Sequence, residues 1–520
     1  MSGGLLALPV VAPLAAAGLL VLLGSRRAGT SPFLRRAVGT VVSSGVVVVG
    51  AVLLVATTDG RRPVLRLGDW PPGIAITLVA DVLSALLLTV TAVLVTASLA
   101  FAAATREDEE TPFFVPAALV LSAGVYGALL TADLFNLFVF VEVMLVPSYV
   151  LLAAGGGRQR LAASRLYVTV NLLASTVFLA GVGLVYGVTG TVDLGRLAGV
   201  AAEVPAAAAA GAVILLAMAV KAAVVPLHSW LPGTYSVTGP AVTVLFSGLL
   251  TKVGLYALVR VYAVVFDGDP RFLWLLLAAA LLTMVVGVLG AVGEKAVRPV
   301  LTFHMVSQVG YVLLGLALFT QAGLAAAVFF LVQYVLAKAA LLMVAGAVEV
   351  GYGTGGLDRL GGLARREPAL AAAFAVSALA LVGIPPLSGF VAKLGLTTAA
   401  VAEEQYLAAA AVVGVSLLTL TSMLKMWNAA FWQAAPEEDR DDQGRHDADP
   451  RGPGPHEDAG GTAATGVRTR LRPALTVPAL LLAASAVVLG VWAGPLLVAA
   501  DAAAAGLVDT AVYVAAVTGP

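Results

Sequence analysis

Residues 323–348 read GLAAAVFFLVQYVLAKAALLMVAGAV, an uninterrupted apolar run that carries a single charge, Lys338. A helix that crosses the hydrocarbon core of a bilayer needs about 20 such residues. The whole chain of 520 residues has the same character, because 60% of it is hydrophobic and 12% is charged, whereas soluble domains are about 25% charged. We therefore expect an all-α polytopic membrane protein.

The composition also excludes several other classes of protein. The formal net charge is zero and the isoelectric point is near 6.9, so the chain lacks the basic surface that binds DNA or RNA. It has no cysteine, which excludes disulfides and iron–sulfur clusters. Only four histidines are present and no cofactor motif is recognisable. We therefore expect no cofactor, no bound metal and no nucleic-acid partner.

Apolar windows of this length recur along the chain and predict about 14 transmembrane helices, the last near 474–498. We expect spans 4–8, within residues 111–266, and spans 9–13, within residues 267–432, to form two inverted five-helix repeats, each with a broken helix. The predicted parts are a three-helix membrane segment at 1–110, the two repeats at 111–266 and 267–432, a polar linker at 433–472, and a C-terminal helix and tail at 473–520.

The distribution of Arg and Lys among the loops predicts the orientation of the chain. Most of these residues fall in the odd-numbered connections, which are therefore expected in the cytoplasm, with both termini outside. The chain is expected in the plasma membrane of a bacterial-type cell. The polar linker belongs to the cytoplasmic side, and His446 and His456 within it are interpreted as solvated residues.

The six lysines are distributed differently from the 24 arginines, which all fall in loops or at helix ends. Five lysines lie inside apolar spans, where a charged side chain costs about 2.5 to 3.5 kcal/mol. A desolvated lysine can lose its proton, whereas arginine effectively cannot, so buried lysines can pass protons along a path. The five are Lys221, Lys252, Lys338, Lys393 and Lys425.

Two kinds of charged residue need separate interpretation. Lys425 lies near a span end beside Trp427 and Trp432, where snorkelling to the membrane interface is the simpler interpretation. Asp81 and Asp133 stand at the starts of spans and are interpreted as interfacial rather than conducting.

One carboxylate lies deep within a span. It is Glu142, in DLFNLFVFVEVMLVPSYV at 133–150. A Lys–Glu pair about 4 Å apart, at an effective dielectric constant of about 20, gains about 4 kcal/mol. Separating such a pair would favour release of the lysine proton, and we take this as a hypothesis for how transport steps are coupled.

Two spans are interrupted close to a lysine. AMAVKAAVVPLHSWLPG places Pro226 five residues after Lys221, and ALVGIPPLSGFVAKLGL places Pro385 and Pro386 ahead of Lys393. Proline removes a backbone donor, and non-helical backbone at membrane depth persists only where protein or water satisfies it. Paired breaks in two halves are typical of inverted-repeat transporters and point to the ion path.

Further polar residues cluster near the buried lysines. A neutral imidazole both accepts and donates a proton, so His304 in span 10 could relay protons, and so could His228 near a helix mouth. The other polar residues of spans 10 and 11 are Ser307, Gln308, Tyr311, Gln333 and Tyr334.

Six stretches resemble the antiporter-like subunits shared by respiratory complex I and the Mrp-type multisubunit Na⁺/H⁺ antiporters. They occur in family order between about residues 110 and 400, and together they are highly specific. The stretches are DLFNLFVFVEVM, KAAVVPLHSWLP, LFSGLLTKVGLYALVR, FHMVSQVGYVLLGL, YVLAKAALLMVAG and GIPPLSGFVAK. The resemblance implies that the functional positions of the family fall on Glu142, Lys221, Lys252, His304, Lys338 and Lys393.

The resemblance implies an ion-translocating subunit that passes protons along a buried row, from Glu142 to Lys393. It also implies a hetero-oligomer with other membrane subunits in the lipid bilayer. Lys393 stands where one type of complex I subunit usually has a glutamate, which favours an antiporter that exchanges monovalent cations for protons. Two alternatives stay open: a proton-pumping subunit of complex I or of a related membrane hydrogenase, and an assembly subunit that conducts nothing.

Overall fold

The computed structural model describes residues 4–24, 30–71, 75–434 and 471–519. Most of these residues are helical, which confirms the predicted all-α fold class. Residues 435–470, which hold most of the predicted polar linker together with His446 and His456, lie outside the described residues.

Three long helices occupy the predicted N-terminal segment. A small antiparallel hairpin precedes the third of them, and the carboxylate of Asp81 caps that helix by accepting the backbone N–H of Ser84 at 2.8 Å. The elements are α1 (Gly4–Gly24), α2 (Pro32–Thr58), β1 (Val64–Arg66), β2 (Thr77–Val79), α3 (Val82–Thr105) and the short α4 (Glu107–Glu110).

The next two groups of helices share one order of elements. In each group the third helix has 32 residues and the fourth is broken into two. The first group is α5 (Phe114–Leu130), α6 (Leu134–Ala153), α7 (Arg158–Thr189), the short α8 (Val200–Glu203), the broken pair α9 (Pro205–Ala222) and α10 (Trp230–Tyr235), and α11 (Pro240–Val265).

The second group repeats this order. It comprises α12 (Leu273–Gly293), α13 (Val297–Leu318), α14 (Gln321–Tyr352), the short α15 (Leu363–Arg366), the broken pair α16 (Pro368–Val382) and α17 (Ser388–Ala402), and α18 (Tyr406–Met426), which continues as a π-helical turn over Trp427–Trp432. The breaks predicted from the prolines are therefore present, while the inverted relation of the two groups stays a prediction.

The C-terminal region differs from the single helix and tail predicted from the sequence. Three helices follow the linker: α19 (Pro473–Val491), α20 (Gly494–Val508) and α21 (Ala511–Thr518). The predicted last span at 474–498 therefore crosses a helix boundary. Apolar residues run almost without interruption through this boundary, so hydropathy alone gave no signal for it.

The predicted count of about 14 spans is not confirmed. Within the described residues, 12 helices are long and apolar enough to cross a membrane, or 13 if α20 and α21, which are bent by 73°, form one span. Three further apolar helices, α5, α16 and α17, are shorter. Hydropathy had merged α16 and α17 into one window, because the break between them is itself apolar.

Helix α14 lies at the centre of the bundle. It packs against α3, α11, α13, α16, α17, α19 and α20, and every residue of its most apolar stretch is buried. The peripheral helices α2 and α12 are buried over only 28% of the corresponding stretch. The amine of Lys338 therefore faces protein rather than lipid.

One arginine departs from the sequence-based expectation that arginines sit in loops or at helix ends. Arg260 is 2% exposed and lies inside α11. Its Nη2 donates to Asp81 Oδ2 at 2.5 Å, and its Nε donates to the Tyr256 hydroxyl at 3.3 Å. A buried arginine persists because a carboxylate compensates its charge, so Asp81 is both a helix cap and a counter-ion.

Glycines let neighbouring helices approach closely in both groups. A Cβ at Gly124 of α5 would lie 2.8 Å from the Cα of Met144 in α6. In the second group, a Cβ at Gly287 of α12 would lie 2.7 Å from the Cα of Ser307 in α13. Small residues at such contacts allow the backbone packing that holds membrane helices together.

We predict that Gly124→Ala weakens the contact between α5 and α6, because the added methyl overlaps the backbone of Met144. The expected loss is about 1 to 3 kcal/mol, measured as a lower thermal midpoint of the purified protein. Gly183→Ala is the matched control, since a Cβ there meets no atom within 4 Å. Equal midpoints for the two variants would contradict this packing role.

Candidate functional site

The six residues predicted for the site lie on six different helices whose inner faces meet. Five of them are buried, whereas Glu142 is half-buried. They are Glu142 on α6, Lys221 on α9, Lys252 on α11, His304 on α13, Lys338 on α14 and Lys393 on α17.

Glu142 and Lys221 are joined through a third residue. Ser175 of α7 donates its hydroxyl hydrogen to Glu142 Oε1, and Lys221 Nζ donates to Ser175 Oγ at 2.9 Å. No direct ion pair joins Glu142 to a lysine among the described residues, so the Lys–Glu pair considered as a hypothesis from the sequence is joined here through a hydroxyl bridge. Sequence reasoning missed Ser175.

The helix break beside Lys221 is satisfied by side chains. Lys221 lies in the last turn of α9, and its neighbour Val220 accepts the indole N–H of Trp230 at 2.9 Å. Within the break, the N–H of Val225 donates to Thr283 Oγ1 of α12 at 3.1 Å. These bonds satisfy freed backbone groups that would otherwise be costly at membrane depth.

Lys252 lies next to this break. A Cβ at Gly254 of α11 would be 2.8 Å from the N of Ala222, so α11 touches α9 one residue after Lys221. Lys252 Nζ donates to the carbonyl of Ser247 at 2.5 Å and lies 4.2 Å from the ring centroid of Tyr334 on α14. An aromatic face and a carbonyl both stabilise an ammonium group.

The centre of the site holds polar groups without hydrogen-bond partners. Lys338 Nζ is buried and unpartnered, and so are both amide atoms of Gln308 and of Gln333. Lys338 lies within electrostatic range of Lys252, and His304 lies within range of Lys338. Unpartnered buried polar groups are uncommon in proteins, and each one suggests a specific role.

His304 contacts α18 through one ring nitrogen. Its Nε2 lies 2.6 Å from Ser422 Oγ, whereas its Nδ1 has no hydrogen-bond partner. The polar residues of α13 do not all contact the same neighbour. Tyr311 bonds to Ser416 of α18 at 3.1 Å, whereas Ser307 donates to the Met284 carbonyl of α12 at 3.0 Å.

Lys393 lies across the second break. Its Nζ donates to the carbonyls of Leu381 at 3.0 Å and Val382 at 2.9 Å, which end α16, and to Ser416 Oγ at 2.9 Å. It also lies 4.6 Å from the ring centroid of Tyr311. Carbonyls at a helix C-terminus carry partial negative charge, so the break itself provides the site for this amine.

Other residues singled out in the sequence lie apart from the row. Lys425 donates to the carbonyls of Val292 at 2.8 Å and Glu294 at 2.5 Å, so it caps the end of α12. His228 is half-buried, and its Nδ1 is unpartnered. Asp133 caps α6, and burial, together with the charge of nearby Asp193, raises the pKa of its carboxyl.

The direct contacts form separate clusters rather than a continuous chain. One cluster joins Glu142, Ser175 and Lys221, and another joins Lys393, Ser416 and Tyr311. Among the described residues, no hydrogen bond links one cluster to the other. Transfer along the whole row would therefore need side-chain movement or water between clusters. No group of three or more metal-ligating side chains occurs within the described ranges.

Comparisons with known proteins agree on one family of membrane subunits. A family model described as NADH:quinone oxidoreductase/Mrp antiporter matches residues 131–419. The D-type Na(+)/H(+) antiporter subunit of Alkalihalophilus pseudofirmus is 39% identical over 433 residues, which cover 82% of this chain and 87% of the relative.

Two solved structures are similar over nearly the full length. A chain of the Mrp complex from Dietzia sp. DQ12-45-1b has 45% identity and a TM-score of 0.91, with 99% of each chain covered. A chain of the membrane-bound sulfane sulfur reductase, an archaeal respiratory membrane complex, has 26% identity and a TM-score of 0.85, with 99% of this chain and 100% of that chain covered.

We predict that Thr283→Val lowers the stability of the protein, because it leaves the N–H of Val225 without an acceptor in the broken segment. The expected cost is about 1 to 3 kcal/mol, read from the thermal midpoint. Thr176→Val is the control, since its exposed hydroxyl bonds only to the carbonyl of Leu172 in its own helix. A midpoint no lower than that of the control would contradict the assigned contact.

Proposed function

This chain belongs to the NADH:quinone oxidoreductase/Mrp antiporter family and, within that family, is related to the D-type Na⁺/H⁺ antiporter subunits. On this basis we propose that it moves protons through its interior. It is a transporter subunit rather than a catalytic enzyme. Protons pass along the buried row of Glu142, Lys221, Lys252, His304, Lys338 and Lys393, and this movement is coupled to exchange of a monovalent cation.

The bridge from Glu142 through Ser175 to Lys221 is the observation that carries the proposal. A hydroxyl has one hydrogen, and Ser175 donates it to Glu142, so its oxygen can only accept from Lys221. The lysine is thus a donor and the carboxylate an acceptor at the two ends of one short chain. If Ser175 rotates, the hydrogen-bonded link between the lysine and the carboxylate breaks without any movement of a helix, and the ammonium loses a stabilising acceptor.

The chemistry of the amine supports the choice of lysine at each position. An ammonium group at membrane depth is costly, and here hydroxyls, carbonyls and aromatic rings offset that cost. A neutral amine needs none of these groups as acceptors. Lys221, Lys252 and Lys393 can therefore exist in either form, and a change of charge at one position alters the electrostatic energy at the next.

The centre of the row is proposed to conduct through ordered water. Gln308, Gln333 and Lys338 offer donors and acceptors that no side chain satisfies. An internal water typically makes two to four hydrogen bonds to buried polar groups of this kind. Such water would link Lys338 to Lys252 and to His304, because Lys338 lies within electrostatic range of both but shares no hydrogen bond with either.

The partners, substrates and membrane location are proposed from the same family relationship. The similar chain of known structure is part of an Mrp complex, so we propose that this chain works with other membrane subunits in a lipid bilayer, with protons and a monovalent cation as its substrates. The predicted placement in a bacterial-type plasma membrane, with both termini outside, stays part of the proposal.

We predict that Lys221→Ala lowers cation/proton exchange about a hundredfold in vesicles, while the complex still assembles. Lys221→Arg should fail equally, because arginine keeps its charge and cannot release a proton. Lys295→Ala is the control, since this lysine is exposed in a loop. Full exchange by the Lys221 variants would contradict the relay and favour an assembly subunit that conducts nothing.

We also predict that Ser175→Ala reduces exchange about tenfold, because it removes the hydroxyl between Lys221 and Glu142. Ser175→Thr, which keeps a hydroxyl, should retain most of the rate. Thr176→Ala changes a neighbouring exposed hydroxyl and serves as the control. If Ser175→Ala transports at the wild-type rate, the bridge is structural only.

A further inference from the structure

The ring of His304 is held in an asymmetric environment. It is fully buried on α13, and its two nitrogens meet different surroundings. Nε2 contacts Ser422 Oγ on α18 at 2.6 Å, whereas Nδ1 has no hydrogen-bond partner. A neutral imidazole carries one N–H, and the position of this hydrogen decides which nitrogen can accept a proton.

Ser422 has its own hydrogen committed elsewhere. Its Oγ donates to the carbonyl of Thr419, one turn earlier on α18, at 2.9 Å, which is the usual local bond of a serine inside a helix. Since a hydroxyl has a single hydrogen, its oxygen then acts as an acceptor toward His304. This bonding pattern assigns the hydrogen of the neutral ring to Nε2.

A second argument leads to the same tautomer. If the hydrogen were on Nδ1, a buried N–H would be left without an acceptor. Orphaned buried N–H groups are rare, whereas acceptors without a donor are better tolerated. The Nε2–H form leaves only a bare Nδ1 lone pair, which is the less costly of the two arrangements.

The free nitrogen lies on the side of the ring away from α18. Helix α14 packs against α13 beside this ring, because the Tyr334 hydroxyl donates to the carbonyl of Met305 at 3.4 Å. Lys338 follows Tyr334 by one turn on α14, and its Nζ is buried without a hydrogen-bond partner. Through Nε2 the ring contacts a hydroxyl on α18, and the unpartnered Lys338 amine on α14 lies within electrostatic range of the ring.

We propose that Ser422 is a positioning residue that holds His304 in the Nε2–H tautomer, so that Nδ1 accepts a proton from Lys338 once a side-chain movement or an internal water joins the two groups, which share no hydrogen bond in this structure. In this step an N–H bond of the Lys338 ammonium breaks and an N–H bond forms at Nδ1. The amine becomes neutral, the ring becomes an imidazolium, and its Nε2–H stays donated to Ser422. The role of the step in transport rests on the proposed proton row.

The first part of the test reads the tautomer itself. Nitrogen-15 NMR of the histidine-labelled complex in bilayers, with a His304→Gln sample subtracted, isolates the two ring nitrogens of His304. The wild type and Ser422→Thr should show a protonated Nε2 and a bare Nδ1, whereas Ser422→Ala should show a mixture of tautomers. A wild-type signal from Nδ1–H, or an unchanged spectrum in Ser422→Ala, would overturn the assignment.

The second part measures exchange in vesicles with the same variants. Ser422→Ala should transport about tenfold more slowly than the wild type, and Ser422→Thr should recover most of the rate. Thr421→Ala is the matched control, because this exposed hydroxyl bonds only to the carbonyl of Leu417 in its own helix. Ser422→Ala at the wild-type rate would overturn the positioning role.

The two proposals can fail separately. If the NMR spectra show the Nε2–H form but His304→Gln exchanges ions normally, the proton row is wrong at this position while the structural assignment of the tautomer stands. If His304→Gln abolishes exchange but the spectra show Nδ1–H, the row survives and the positioning role of Ser422 is refuted.

Discussion

An ammonium group at membrane depth must be surrounded by oxygen atoms or aromatic faces, and this requirement organises the interior of the protein. Water cannot stabilise the charge there as it does at a surface. Lys393 has two carbonyls, a hydroxyl and the ring of Tyr311 around its amine. Lys252 has the Ser247 carbonyl and the Tyr334 ring. The helices are arranged so that such groups converge on each of these amines.

The breaks in α9–α10 and α16–α17 follow from the same requirement. Within an unbroken helix the carbonyls accept the helix's own N–H groups, whereas the last carbonyls of a helix end have no partner in the helix. Ending α16 at Val382 frees carbonyls that Lys393 uses. Ending α9 just after Lys221 leaves backbone groups that Trp230 and Thr283 satisfy. The breaks therefore leave few backbone groups without hydrogen-bond partners. They also place free carbonyl groups inside the membrane, where a continuous helix would offer fewer.

The sequence predicted the class of fold and the buried lysines, because hydropathy and charge are local properties of a membrane span. The prolines likewise indicated both breaks. It did not predict Ser175, Ser416 and Ser422, because a serine in a membrane helix can satisfy itself on its own backbone and so leaves no pattern. Arg260 was missed as a buried residue for a related reason: its counter-ion Asp81 is 179 residues away.

The central claim is that the amines of the row exist in both charged and neutral forms inside the protein. Nitrogen-15 NMR of lysine-labelled complex in bilayers, with Lys221→Arg and Lys393→Arg samples to assign the signals, measures this most directly. We expect that at least one of these two amines changes from ammonium to neutral amine between neutral and alkaline pH, and that the change depends on the monovalent cation. Amines that remain fully charged throughout, with and without the cation, would contradict the claim.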